Sequence, residues 1–241
     1  MKPPTARRLR WSLATCGIIL FLALLLPGCA HLLPPTLHAL NPDVTYRIDG
    51  VGPTLYLTLD DGPSAATPEI LDVLKKHGVK ATFFIISDHI NPSMMQRIVG
   101  EGHALGHHMK TTKNLGSMPE ERFEAEFREA EKRIGECGPI LAFRPPSGSI
   151  NRQKAGFVRA AGYPVIAGTI YPLDHMLDDE RHIEWLAHRL IVDGGIIILH
   201  DTNARGPRTA RVLDRLIPRL KIDGYQFALL PAPVHASGLV E

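Results

Sequence analysis

The chain has 241 residues, 44% of them hydrophobic, and a formal charge of +2 from 27 Lys and Arg against 25 Asp and Glu. Four of the basic residues, Lys2, Arg7, Arg8 and Arg10, stand ahead of any acidic one, and without them the remainder carries −2. No basic stripe is left to follow a phosphate backbone, so a nucleic-acid partner is excluded, while the length suffices for one sizeable core.

Those four cations precede an apolar run from Gly17 to Leu26 that is too short to span a bilayer comfortably, the layout of a signal peptide over residues 1–28. The run ends in Leu26-Pro27-Gly28-Cys29, which resembles the lipobox of bacterial lipoproteins, where the Cys takes a diacylglyceryl group and becomes the new N-terminus. An uncleaved apolar anchor with an incidental Cys is the alternative. Either way the domain is expected in the cell envelope, held to a membrane outside the cytoplasm. Cys16 leaves with the signal and Cys29 is acylated, so Cys137 has no partner for an internal disulfide.

Residues 29–50 are rich in Pro and lack apolar period, which suits a tether; the folded domain is expected over 51–233, with a tail at 234–241. Within the domain, apolar or alternating runs predict strands over Thr54 to Leu59, Val79 to Ile86, Tyr163 to Ala167, Gly195 to His200 and Tyr225 to Leu230. Apolar residues at three and four spacing predict helices over Pro68 to His77, Pro119 to Glu136, Gln153 to Ala161, Glu180 to Val192 and Arg208 to Leu220. Alternation of this kind implies one α/β domain with parallel strands and right-handed crossovers, in which chemistry gathers where strands end.

Three such ends carry polar chemistry. Thr58-Leu59-Asp60-Asp61-Gly62-Pro63 closes the first strand, Arg144-Pro145-Pro146 follows the short run Ile140 to Phe143, and His200-Asp201 closes the late apolar strand. Singly each has a bland reading: an Asx turn eased by glycine's permissive backbone, a surface ion pair with a stiff loop start, a lone strand-end His.

Together, in this order, they resemble the five-motif pattern of the polysaccharide deacetylase family, also called the NodB homology domain or carbohydrate esterase family 4. The first motif is Thr58 to Pro63 with Leu59 for the family's Phe, followed by Ala81-Thr82-Phe83-Phe84. The third is Arg144-Pro145-Pro146 with Ser147 where Tyr is common, and the fifth is Leu199-His200-Asp201. The fourth is recognisable as Asp174 in Tyr171-Pro172-Leu173-Asp174-His175, with His175 for the usual Trp. The second motif aligns with 106–115; His108 takes the first metal-ligand position and Thr112 the second, where a hydroxyl is a poorer ligand than an imidazole. On a helical turn His107 points about 100° from His108, and His103 and His107 otherwise read as polar surface residues.

The resemblance implies a distorted parallel (β/α) barrel and a divalent metal, zinc first, with cobalt, nickel or manganese as alternatives, held by Asp61 and His108. It implies Asp60 as general base oriented by Arg144, His200 as general acid assisted by Asp174, a backbone N–H near Pro146 for the oxyanion, and Pro146 and Leu199 on the substrate side. The expected partner is an acetylated glycan, with N- and O-deacetylation and the particular glycan left open, and the expected state is a monomer. The competing reading, favoured by Thr112, is a binding protein that kept the groove and lost turnover.

Overall fold

The computed structural model describes residues 37–39, 41–50, 52–113, 115 and 117–232. The signal segment, Cys29 and the tail at 234–241 lie outside these residues. Among the described residues no helix is long and apolar enough to cross a membrane.

The first strand shows how sequence becomes position. In β1 (Thr54–Asp60) side chains alternate between the two faces: Leu55, Leu57 and Leu59 enter the layer under the helices, while Tyr56, Thr58 and Asp60 face inward. β2 (Thr82–Ile85), β3 (Ala104–His107), β4 (Ile140–Phe143), β5 (Ile196–His200) and β6 (Gln226–Ala228) complete a parallel sheet in the order β4-β3-β2-β1-β5, with β6 beside β1. Between them run α1 (Thr67–His77), α2 (Pro92–Gly100), α3 (Glu120–Gly135), α4 (Arg152–Ala160), α5 (Glu180–Arg189) and α6 (Gly206–Ile222). Strands buried on both faces read as near-continuous apolar runs, as Ile196 to Leu199 does.

The outer layer packs Leu57, Leu59, Phe83, Ile197 and Leu199 against Ile70, Leu74, Leu213 and Ile217. Each such side chain, fully buried, contributes about 1.5–3 kcal/mol. A smaller inner cluster of Tyr56, Phe84, Ala142, Ile166, Ile196 and Leu230 fills the barrel below its rim.

The sheet closes through a segment predicted as a strand. Tyr163 to Ala167 forms only isolated bridges: Ile166 N–H donates to Phe143 C=O at 2.8 Å, and further on Ile170 exchanges bonds with β5, donating to Ile196 C=O at 3.1 Å and accepting from Ile198 N–H at 2.9 Å. The other edge of this segment is taken by residues read from sequence as tether. Thr45 N–H donates to Val165 C=O at 2.9 Å, Ala167 N–H to Thr45 C=O at 2.8 Å, and Ile48 N–H to Gly194 C=O at 2.9 Å. With Val44 buried among Phe123, Phe127 and Phe143, residues 44–48 belong to the folded body, ahead of the expected start at Val51.

Two elements escaped the sequence. α2 is short and capped by Asn91, whose side chain accepts from Ser93 and Met94 N–H ahead of an N-terminal Pro. β3 is four residues long and contains Gly106, whose presence has a packing cause. A Cβ there would enter the Phe84 ring. Gly106→Ala is therefore expected to displace Phe84 and cost about 1–3 kcal/mol, read as a lower urea midpoint at unchanged m. An unchanged midpoint would show that the ring has room to move.

Candidate active site

The inward row of β1 ends in Asp60, and its partner arrives from the end of β4. Arg144 Nη1 donates to Asp60 Oδ1 at 2.6 Å and to Thr58 Oγ1 at 2.7 Å; that hydroxyl can accept because its own proton goes to Ile197 C=O at 2.6 Å. Arg144 Nε and Nη2 reach the carbonyls of Ile166 and Ala167 at 3.3 and 3.1 Å, and the guanidinium lies 4.0 Å from the Phe84 ring centre. Burial pulls the Arg144 pKa down, and the Asp60 charge and hydrogen bond push against it. Each of the three guanidinium nitrogens has a partner, so the fork is fixed in place and engages one oxygen of Asp60, Oδ1, leaving Oδ2 without an arginine donor.

His108 follows β3 and turns inward. Its Nδ1 lies 2.7 Å from Arg144 C=O, which accepts a proton, so Nε2 presents its lone pair. That Nε2 stands 3.5 Å from Asp61 Oδ1 and 4.0 Å from Asp60 Oδ2. Asp61 adopts φ +72°, and its carbonyl accepts from His89 Nδ1 at 2.8 Å. Burial opposes the charged Asp61 carboxylate, yet with a second proton on the ring the hydrogen bond and charge of His108, joined by the charges of His200 and Arg205, hold the Asp61 pKa below the usual range.

With the ring neutral, two acceptors face each other at 3.5 Å, and in place of the Nε2 proton the pair can take a cation between one hard oxygen and one imidazole nitrogen. A divalent ion fits these two donors. Among the described residues no group of three or more His, Cys, Asp or Glu is placed to hold one.

Opposite stands His200, the last residue of β5. Its Nδ1 bonds Asp174 Oδ1 at 2.8 Å, and its backbone N–H donates to Asp174 Oδ2 at 2.9 Å, so both oxygens of the carboxylate orient one residue. Arg208 Nη2 in turn donates to the Asp174 carbonyl at 2.8 Å. Burial pulls the His200 pKa down, but the hydrogen bond and charge of Asp174, with the charges of Asp60 and Asp61, raise it above its ordinary 6.5. The rings of Tyr171 and His175, 6.2 and 6.0 Å away, also face it. Because folding raises this pKa, the charged form contributes stability that is complete below about 6.5 and fades as pH rises through the raised value. Asp174→Asn keeps an acceptor but removes the charge, so the alkaline limb of any His200-dependent rate should move to lower pH. A limb that stays in place would remove Asp174 from this role.

Other sequence-predicted positions fall differently. Leu199 is fully buried in the helix-facing core because it neighbours the inward His200 on a strand, so its side chain is not at the site. His107 and His103 are not surface residues: both are buried, and burial pushes each down to about 4. His107 stacks on Phe127 at 4.3 Å and bonds its carbonyl at 3.0 Å. Residues 108–113 form a loop, not a helical turn, with Met109 at φ +67°; strand alternation is what separates His107 from His108. Thr112 is exposed in that loop. Pro146 is buried and opens a short 3-10 turn; it has no N–H of its own, so a donor near it belongs to the next residues.

Sequence reasoning missed four groups. Lys154, fully buried, donates to the carbonyls of Leu115 and Met118 at 2.6 Å and ties down the loop that carries Thr112. Tyr171 stacks on His175 with ring centres 5.0 Å apart, beside the acid. His89 and Asp201 brace the turn after β1. A Lys at helical spacing reads as solvated, and the others depend on long-range contacts, so no local signal marked them.

The family model for polysaccharide deacetylases matches residues 48–166. A peptidoglycan-N-acetylglucosamine deacetylase of Bacillus cereus is 30% identical over 76% of this chain and 89% of its own length. The peptidoglycan-N-acetylglucosamine deacetylase PgdA of Listeria monocytogenes is 31% identical over 72% of this chain, which spans only 37% of that protein. Among solved structures, a carbohydrate esterase family 4 pseudoenzyme from Bacillus anthracis superposes with TM-score 0.72 at 26% identity, covering 80% of this chain and 69% of its own.

Proposed function

From the premise that this chain belongs to the polysaccharide deacetylase family, we propose that it removes acetyl groups from amino sugars of an exported or cell-envelope polysaccharide. The observation that carries this reading is the pairing of Asp60, held by Arg144 at 2.6 Å, with His200, held by Asp174 at 2.8 Å, on one rim. Asp60 faces a guanidinium and keeps an oxygen that can accept a proton, while the charge of Asp174 favours the protonated His200 imidazole, the complementary roles that a base and an acid require.

Asp61 and His108 are the residues to hold a divalent ion. When bound, it supplies a Lewis acid for the acetyl carbonyl and makes water easier to deprotonate. Asp60 Oδ2 accepts the proton of the attacking water while Arg144 keeps the other oxygen occupied. The tetrahedral oxyanion finds a backbone N–H beside Pro146. His200, with its Nδ1 proton engaged by Asp174, donates from Nε2 to the departing amine, whose poor leaving ability is the reason an acid is needed. The carbon–nitrogen bond breaks, acetic acid leaves and gives up its remaining proton to solvent as acetate, and the proton gained by Asp60 balances the one lost by His200.

A second reading rests on Thr112. With a hydroxyl in an exposed loop where the family has its second imidazole, the chain becomes a glycan-binding protein with little turnover, and a family relative is a pseudoenzyme. Mass analysis of products from peptidoglycan, chitooligosaccharides and acetylated exopolysaccharide, together with metal content of the purified protein, separates the two. Deacetylated product supports the enzyme; glycan binding without product supports the binder.

The signal layout and Cys29 support an envelope location with a lipid anchor. Cys29→Ser is expected to abolish incorporation of labelled fatty acid. Equal label in both proteins would sink the anchor.

A further inference from the structure

Two rim turns interlock through a buried carboxylate that the mechanism above does not use. The turn 61–66 follows Asp60, and the turn 201–205 follows His200. Asp201, fully buried, donates its backbone N–H to the Asp60 carbonyl at 2.8 Å. Its Oδ1 accepts the Ser64 hydroxyl and its Oδ2 the Thr67 hydroxyl, both at 2.6 Å.

The direction of these bonds is settled by the hydroxyls' other partners. Ser64 N–H donates to Thr67 Oγ1 at 2.7 Å, and Ala66 N–H donates to Ser64 Oγ at 3.0 Å. A hydroxyl has one proton, and with backbone donors on their lone pairs both hydroxyls send theirs to residue 201. Both oxygens there must accept, which suits a carboxylate and not an amide, whose NH₂ would confront one of the two protons.

Packing leaves no slack in this arrangement. A Cβ on Gly62 would stand 2.6 Å from Asp201 Oδ2, so the glycine of Asp-Asp-Gly-Pro is present for room; the left-handed residue is Asp61. Gly206 likewise lies against Ala66, and Ala65 N–H donates to Asn203 Oδ1 at 2.9 Å. On the outer side His89 holds the Asp61 carbonyl.

We propose that Asp201 is a positioning residue that locks the end of β1 at Asp60 and the turn beginning with Asp61 to the strand end bearing His200, and so sets the separation of base and acid. The inference rests on the deacetylase reading for its catalytic consequence, while the lock itself is a structural statement with its own readout.

The test uses the full chain with Asp201→Asn, Thr67→Ala and Thr67→Ser, measuring kcat and KM on a glycan the wild type deacetylates, hydrogen–deuterium exchange over 60–67, and thermal unfolding. Asp201→Asn and Thr67→Ala should lower kcat about 10- to 100-fold with KM changed less than about threefold, because a misplaced base costs the transition state more than binding. Both should also speed exchange in 61–66. Thr67→Ser keeps the hydroxyl and should restore kcat to within about threefold of wild type. A lowered melting temperature with kcat unchanged would reduce the network to a stabilising contact and overturn the proposal. Should Asp201→Asn fail to fold, the Thr67→Ala and Thr67→Ser pair decides. Absence of turnover in the wild type would refute the deacetylase reading, and the lock then stands or falls on exchange alone: unchanged exchange over 60–67 in both variants overturns it.

Discussion

Asp60→Asn is expected to lower turnover by about 10²–10⁴-fold, the range that a positioned general base contributes. An amide oxygen can still accept from Arg144 Nη1, so the contact now at 2.6 Å survives in weakened form and the fold persists. What is lost is the basic oxygen, Oδ2, because an amide nitrogen in its place donates and does not take the water's proton. Stopped assays of acetate release, with circular dichroism to verify folding, measure the effect. Activity within a few-fold of wild type would remove Asp60 from the role of base and shift attention to Asp61.

The second large effect is on stability. Arg144 and Asp60 are both buried, and the guanidinium also bonds the carbonyls of Ile166 and Ala167, the segment that closes the barrel. Arg144→Gln leaves the Asp60 charge buried without its partner and breaks that closure. Loss of one member of a buried pair costs about 3–5 kcal/mol, more than surface ion pairs such as Arg122 with Glu126 contribute. Urea denaturation should show a loss of this size, and a change below about 1 kcal/mol would mean that water reaches Asp60 and screens it.

Much of the architecture was legible because parallel strands and amphipathic helices advertise themselves. β1 and β5 carry apolar runs, α3 and α6 keep three and four spacing, and each predicted helix is found within two residues at its start and three at its end. β3 was hidden because four residues including Gly106 and His107 do not look like a strand, and missing it put His107 and His108 on a helical turn. The Tyr163 to Ala167 run has strand composition, yet its hydrogen bonds are divided between Phe143 and Thr45, so no ladder forms.

At the site, strand ends supplied Asp60, Asp61, Arg144 and His200 because chemistry adjacent to an apolar run is visible in one dimension. Leu199 was misplaced for the same reason: adjacency to His200 in sequence means the opposite face on a strand. Asp201 was invisible as a hub because Ser64 and Thr67 lie 137 and 134 residues away. Position 112 was legible as a departure from the family pattern, and its consequence depends on a loop held by Lys154 that no local pattern predicts.

The most direct test of a working deacetylase built on Asp61 and His108 is the rate of acetate release by chelator-treated protein as zinc or cobalt is added back, with N-acetylglucosamine oligomers as substrate. Release that is absent in chelator and rises with metal to saturation is the predicted result, saturating at high metal because two protein donors hold the ion weakly. No release at any metal concentration, from a protein that still binds the oligomers, would contradict it.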